Sequence, residues 1–216
     1  EVLYYRRNSA ATSLSIEDID LEWIKESKIV HITGITPSLS DSCRNLVTEV
    51  IKLCKKYNKI ISFDPNVRLK LWDIEEARKV LLPIIQESDI FLPGMEELKQ
   101  LFDLDSFQDI ERKLTEWNIP TIVVKDGAKG AWLIEDNQKV FVEAFKINDV
   151  VDEVGAGDAF AAGFLHGYIK SKSRVDSIRY GHALAAFAIS SEGDTNGLPT
   201  QKELESFVNK DIDTIR

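Results

Sequence analysis

The run Val151-Asp152-Glu153-Val154-Gly155-Ala156-Gly157-Asp158 ends in residue types that can do chemistry together. Gly155, Ala156 and Gly157 carry no bulk, so the backbone there can turn sharply and come close to a ligand. The small and apolar stretch that follows, Ala159 to Leu165, reads as a helix, which makes the junction a helix start. Unpaired N–H groups of a first turn point outward, and the helix dipole adds roughly half a positive charge. Such an end attracts phosphate. Asp158 falls in that first turn, where the dipole favours the ionised carboxylate. An ionised carboxylate beside a phosphate cradle can take the proton of an alcohol as its oxygen attacks a phosphoryl group. The pattern points to phosphoryl transfer, although a short Gly-rich string alone also describes the start of a tightly packed helix.

Further stretches could serve the same chemistry. Asp64-Pro65-Asn66-Val67-Arg68 follows a strand-like run, and Arg68 offers a planar fork for a carboxylate or phosphate. Taken alone, it is an Asp-Pro turn with a basic surface loop. Tyr4-Tyr5-Arg6-Arg7 reads either as a polar edge strand with snorkelling arginines or as an oxyanion-binding strand end. Lys125-x-Gly127-x-x-Gly130 and Gly193-Asp194 are turn-like, and Glu97 is a first-turn helix charge after Pro93-Gly94.

The elements that must hold these residues can be read from periodicity and caps. Strands are expected at Ile29–Gly34, Lys59–Asp64, Asp89–Leu92 and Thr121–Val124, and an antiparallel hairpin at Ala131–Ile134 and Val140–Val142. Helices are expected from Ser15 to Glu26, from Ser40 or Asp41 with Leu46, Val50, Leu53 and Cys54 on one face, and from Asp73 to Glu87. Others are expected at Glu96–Phe102, Phe107–Trp117, after Gly157, at Val175–Ser190 and at Gln201–Val208. Alternation of helices and apolar strands predicts one α/β domain over residues 1–216, three-layered with a mostly parallel sheet. Ligands in such sheets sit beyond the carboxyl ends of the strands. That rule places Asp64–Arg68, Lys125–Gly130 and Gly155–Asp158 on one edge, with Arg68, Lys125 and Lys129 supplying positive charge.

Composition narrows the partners. A net charge of −9 argues against nucleic acid as the main partner. No apolar run approaches a membrane span and no secretory leader is visible, so a cytoplasmic protein without membrane contact is expected. Cys43 and Cys54, eleven positions apart on one expected helix, are too far apart to bridge and read as core thiols. His31, His166 and His182 lack companions at zinc-ligand spacing. The opening at Glu1, inside a strand-like run, suggests a piece of a longer protein.

Asp152-x-x-Gly155-Ala156-Gly157-Asp158-x-x-x-Ala162-Gly163 closely resembles the C-terminal motif of the ribokinase, or PfkB, family of sugar kinases. Glu153 departs from it, since Thr or Pro is usual there. The resemblance implies a ribokinase-like α/β fold, with Asp158 as catalytic base and Gly155, Ala156 and Gly157 as the anion hole. The Tyr4-Tyr5-Arg6 run and the Asp64-x-Asn66-x-Arg68-x-x-Leu71-Trp72 loop are similar to those of the 2-keto-3-deoxygluconate kinases. By that likeness Tyr4 and Arg6 hold the sugar acid, Arg68 contacts substrate or the transferred phosphate and Asp194 accepts from substrate hydroxyls, while Asp64, Asn66, Lys125, Gly127 and Gly130 serve the nucleotide. Glu97 matches the family glutamate that helps organise Mg²⁺, and Gly94 replaces the usual Asn of that motif. ATP and Mg²⁺ are the implied cofactors, with a monovalent cation as a further candidate, a sugar acid the implied substrate and a homo-oligomer a candidate assembly. The resemblance also implies that the family's N-terminal portion and its small β-sheet lid are not in this sequence. Alternatives are a ribokinase- or fructokinase-like enzyme for a neutral sugar, and a regulator that binds nucleotide or sugar without catalysis.

Overall fold

A computed structural model of the chain describes residues 9–136, 138–147 and 149–214. Six strands lie in one sheet in the order β1 (Ile29–Thr33), β2 (Ile60–Asp64), β3 (Ile90–Phe91), β4 (Thr121–Lys125), β5 (Gly130–Glu135) and β6 (Gln138–Glu143). The first four pair in parallel, with Ile29 opposite Ile60, Ser62 opposite Ile90 and Ile90 opposite Thr121. β5 and β6 are neighbours in the sheet and follow one another directly in the chain, too close in sequence for anything but an antiparallel pair. The expected mostly parallel α/β architecture is therefore present. The chain divides into two compact units, one running to Ile122 with residues 135–137 added, the other taking Val123–Ile134 and the chain from Gln138 onward.

In the first unit the helices are α1 (Leu21–Glu26), α2 (Ile35–Leu39), α3 (Asp41–Lys56), α4 (Ile74–Gln86), α5 (Met95–Phe102) and α6 (Phe107–Glu116). Local chemistry starts several of them. The Ser40 hydroxyl accepts from the Cys43 N–H at the head of α3, and the Asp73 carboxylate accepts from the Glu76 N–H at the head of α4. The core gathers around Ile61 and Phe63 of β2, Leu81 and Ile85 of α4 and Leu98 of α5, all fully buried. Phe63 and Phe91 stack with ring centroids 6.2 Å apart.

Three expectations need correction here. The helix expected from Ser15 to Glu26 is a 3₁₀ turn at Ile16–Asp18 followed by α1, because Asp18 closes a capping box with Ser15 and Asp20 caps a second start through the Glu22 N–H. The α3 face that is buried consists of Cys43, Leu46, Val47, Ile51 and Cys54, so the helix is turned relative to the stripe expected through Val50 and Leu53, which are half-buried. The short α2, with Pro37 in its first turn, was not expected at all. Both cysteines are buried and free, and Cys43 Sγ donates to the Ala11 carbonyl at 3.2 Å.

The second unit carries α7 (Ala156–Ile169), α8 (Arg174–Ile189) and α9 (Gln201–Thr214), the last longer than the expected Gln201–Val208. α7 and α8 approach closely because Gly163, Gly167 and Gly181 face the partner helix without side chains: a Cβ on Gly163 would sit 2.4 Å from the Tyr180 carbonyl oxygen. Tyr180, Ala183, Leu204 and Val208 make a core against α9, closed by Phe187 and Phe207.

His182 on α8 is 7% exposed, and its Nε2 lies 3.2 Å from the Val142 carbonyl oxygen of β6. A carbonyl can only accept, so that nitrogen carries a proton. Burial pushes its pKa down from 6.5 to about 4, the hydrogen bond to Val142 opposing in part. A depressed histidine pKa means that the folded state rejects a proton the unfolded chain accepts. Its contribution is therefore whole above about pH 6.5 and is lost as pH falls toward 4, by about 3 kcal/mol at most. Thermal unfolding of the chain followed from pH 7 to 4.5 should show a steeper acid loss than the same series on His182→Gln, which keeps an N–H donor but does not titrate. Parallel slopes would remove His182 from the account.

Candidate active site

In the second unit the chain enters α7 through Gly155, whose φ of 78° is left-handed and whose Cα faces the loop after α8: a Cβ there would meet the Asp194 Cα at 3.4 Å. The Ala159 N–H closes onto the Gly155 carbonyl at 2.8 Å, and the Ala156 N–H reaches the Glu153 carbonyl at 3.3 Å. Asp158 stands in the first turn of α7 and is exposed. A Cβ built on Gly157 would meet one atom of note, the Lys125 Nζ at 3.8 Å. A helix start, an ammonium and an exposed carboxylate thus share one small region, two features attracting an anion and the third able to accept a proton.

Asp152 was quoted in the sequence motif without a role. Its Oδ1 accepts from the Val154 N–H at 3.0 Å and its Oδ2 from the Gly193 N–H at 3.3 Å. One carboxylate therefore joins the approach to α7 to the loop bearing Asp194, a tie across 41 residues that no local pattern could announce. Asp194 itself is exposed.

The loop after β4 is also set by backbone conformation. Gly127 has φ 55° with open space where a Cβ would be, and Gly130 has φ 142° with the Val142 carbonyl oxygen 2.2 Å from any Cβ. Lys129 pairs with Asp126 at 3.2 Å.

In the first unit the loop after β2 is tightly determined. Asp64 is 4% exposed, its carbonyl accepts from the Gly34 N–H at 2.8 Å and its Oδ1 from the Asn66 N–H at 3.1 Å. Asn66 takes φ 36°, and its Nδ2 donates to the Thr33 hydroxyl at 3.3 Å. Gly34 packs so closely under the loop that a Cβ would lie 1.9 Å from the Pro65 carbonyl oxygen. Arg68 is exposed just beyond. Glu97, at the start of α5, accepts from the Val67 N–H at 2.8 Å through Oε1 and from the Gly94 N–H at 2.7 Å through Oε2. Tyr4 and Arg6 lie outside the described residues.

Among the described residues no three His, Cys, Asp or Glu side chains converge as a metal site. Nor is any helix of the described residues long and apolar enough to cross a membrane.

A helix start that attracts an anion, with a carboxylate in its first turn, has the parts of a site for phosphoryl transfer to an alcohol. The comparisons with known proteins make the assignment specific. The profile of the pfkB family carbohydrate kinases matches residues 1–201, and the chain belongs to that family. It is 33% identical over 210 residues to the 2-dehydro-3-deoxygluconokinase of Bacillus subtilis, covering 96% of this chain and 64% of that protein. It is 30% identical over 219 residues to fructokinase-1 of Zea mays, covering 97% of this chain and 67% of that one. Among solved structures, a putative ribokinase II from E. coli in complex with ATP and Mg²⁺ superposes with a TM-score of 0.88 at 26% identity, over 96% of this chain and 67% of that one. The chain spans about two thirds of the length of these relatives.

Proposed function

We propose that the chain is the C-terminal, nucleotide-binding portion of a cytoplasmic ATP-dependent kinase acting on a small sugar acid, 2-keto-3-deoxygluconate being the favoured substrate and its 6-phosphate the product. The observation that carries this reading is the start of α7, where left-handed Gly155 opens a helix with Asp158 in its first turn and Lys125 beside Gly157. Asp158 accepts the proton of the sugar's primary hydroxyl as that oxygen attacks the γ-phosphorus. The bond from phosphorus to the bridging oxygen of ADP breaks, and its electron pair leaves with ADP. The Gly155 and Gly157 amides and the Lys125 ammonium stabilise charge on the transferring group, and the Ala156 N–H joins them by leaving the Glu153 carbonyl 3.3 Å away. Mg²⁺, when bound with the nucleotide, would supply charge neutralisation at the triphosphate. Asp64, Asn66, Gly127 and Gly130 lie on the nucleotide side, and Asp194 accepts from substrate hydroxyls. Arg68, with Tyr4 and Arg6, holds the substrate carboxylate, a charge-assisted contact that a neutral sugar would not use.

The fructokinase likeness makes a neutral sugar the second reading. A coupled ADP-release assay with ATP and Mg²⁺ separates the two, run on this chain and on a form extended at its N-terminus to the length of its relatives. The expected result is a kcat/KM for 2-keto-3-deoxygluconate at least about tenfold above that for fructose, the difference of one good charged contact. Equal or better use of fructose would remove the sugar-acid assignment. ATP binding without turnover of any sugar in either form would favour a regulator.

A further inference from the structure

We propose that Glu97 is a positioning residue for Arg68, acting through the backbone of the loop after β2. Its two carboxylate oxygens are engaged by two backbone N–H groups from different segments: Val67, the residue immediately before Arg68, at 2.8 Å, and Gly94, at the head of α5, at 2.7 Å. Hydrogen bonds to an ionised acceptor are about twice as strong as neutral ones. Glu97 therefore clamps the outgoing arm of the loop to a helix of the same unit.

The incoming arm is fixed independently. The Gly34 N–H holds the Asp64 carbonyl, Gly34 lies against Pro65 with no room for a Cβ, and Asn66 is held at φ 36° with its amide on Thr33. A non-glycine residue at such a φ is costly unless its surroundings fix it. With one arm seated on β1 and the other on Glu97, the chain leaves Val67 in a set direction and presents Arg68 from a rigid base. A guanidinium so presented loses less freedom on binding than one on a loose loop. Gly94 fits this role, because a Cβ at that position would lie 3.2 Å from Glu97 Oε2, and its absence leaves the carboxylate room to close on both amides.

The inference rests on the reading of Arg68 as a contact to the sugar acid, and the test separates the two. Glu97→Gln keeps one acceptor oxygen but turns an NH₂ toward the other N–H. Hydrogen exchange at the Val67 amide should quicken about tenfold or more in this variant, a measurement that needs no substrate. In the coupled assay the KM for the sugar acid should rise about tenfold, with the Mg²⁺ concentration for half-maximal rate unchanged. Combined with Arg68→Ala, Glu97→Gln should add nothing to the KM, since partners in one interaction are not additive. A shifted Mg²⁺ requirement with Val67 protection intact would overturn the proposal in favour of a metal role. An unchanged KM in Arg68→Ala alone would instead overturn the substrate reading of Arg68, whatever the Val67 exchange shows about the clamp.

Discussion

Asp158→Asn is expected to remove turnover by about 10²- to 10⁴-fold, the usual contribution of a positioned general base, while ATP still binds. The substitution is isosteric, and the side chain is exposed in the first turn of α7, so no packing is lost. Two electrostatic effects compete in the variant. Removing a negative charge near the helix start forfeits a favourable dipole contact worth about 0.3–1 kcal/mol, which slightly lowers stability. The same removal takes away a repulsion toward phosphate, so ATP affinity should hold or improve. Loss of rate with retained or tighter nucleotide binding is the signature of a missing proton acceptor; loss of both would signal a disturbed helix start. Calorimetric titration with ATP beside the coupled assay reads both quantities, and a variant that kept its rate would show that some other group takes the proton.

How much of this arrangement was open to reading depended on whether its cause was local. Ser40, Asp73 and the glycines at 155 and 157 carry their meaning in their own neighbourhood, since a cap or an unencumbered turn is decided within four residues. The parallel strands were equally plain, because β2 and β4 are covered on both faces and carry bulky apolar residues at consecutive positions, Ile60-Ile61 in one and Ile122 to Val124 in the other. The start of α1 was misjudged because Ser15 and Asp20 are both capping types five residues apart, and only the capping box of Ser15 with Asp18 decides that the first start ends as a 3₁₀ turn. The rotation of α3 follows from packing that brings Cys43 against the Ala11 carbonyl, 32 residues away. Glu97 and Asp152 show the same limit, each in its own unit, as each bonds a backbone N–H 30 or 41 residues distant. The identity of a carboxylate is legible, but its choice of amide waits for the fold.

Gly163→Ala is the case in which propensity and packing predict opposite signs. Alanine is favoured over glycine inside a helix by about 1 kcal/mol, so on propensity alone the change should stabilise α7. The added Cβ, however, would lie 2.4 Å from the Tyr180 carbonyl oxygen, 2.8 Å from its carbon and 2.9 Å from the Gly181 Cα. All three are backbone atoms of α8, which cannot swing aside as a side-chain end could. Relief requires the two helices to part, and that would also loosen Gly167 against Ser177 and Gly181 against Phe160, where a Cβ would already stand at 2.8 and 3.0 Å. Overpacking of this kind costs about 1–3 kcal/mol and more where backbone must move, so packing should win. A net loss of about 2 kcal/mol corresponds to a fall in Tm of about 4–8 °C for a chain of this size. Because α7 begins at the residues proposed to hold phosphate, the shift should also reach the site. Weakened ATP affinity in the folded variant would show that the glycine seam between α7 and α8 sets the position of Gly155–Asp158, whereas a raised Tm would show that the seam has slack and that propensity decides.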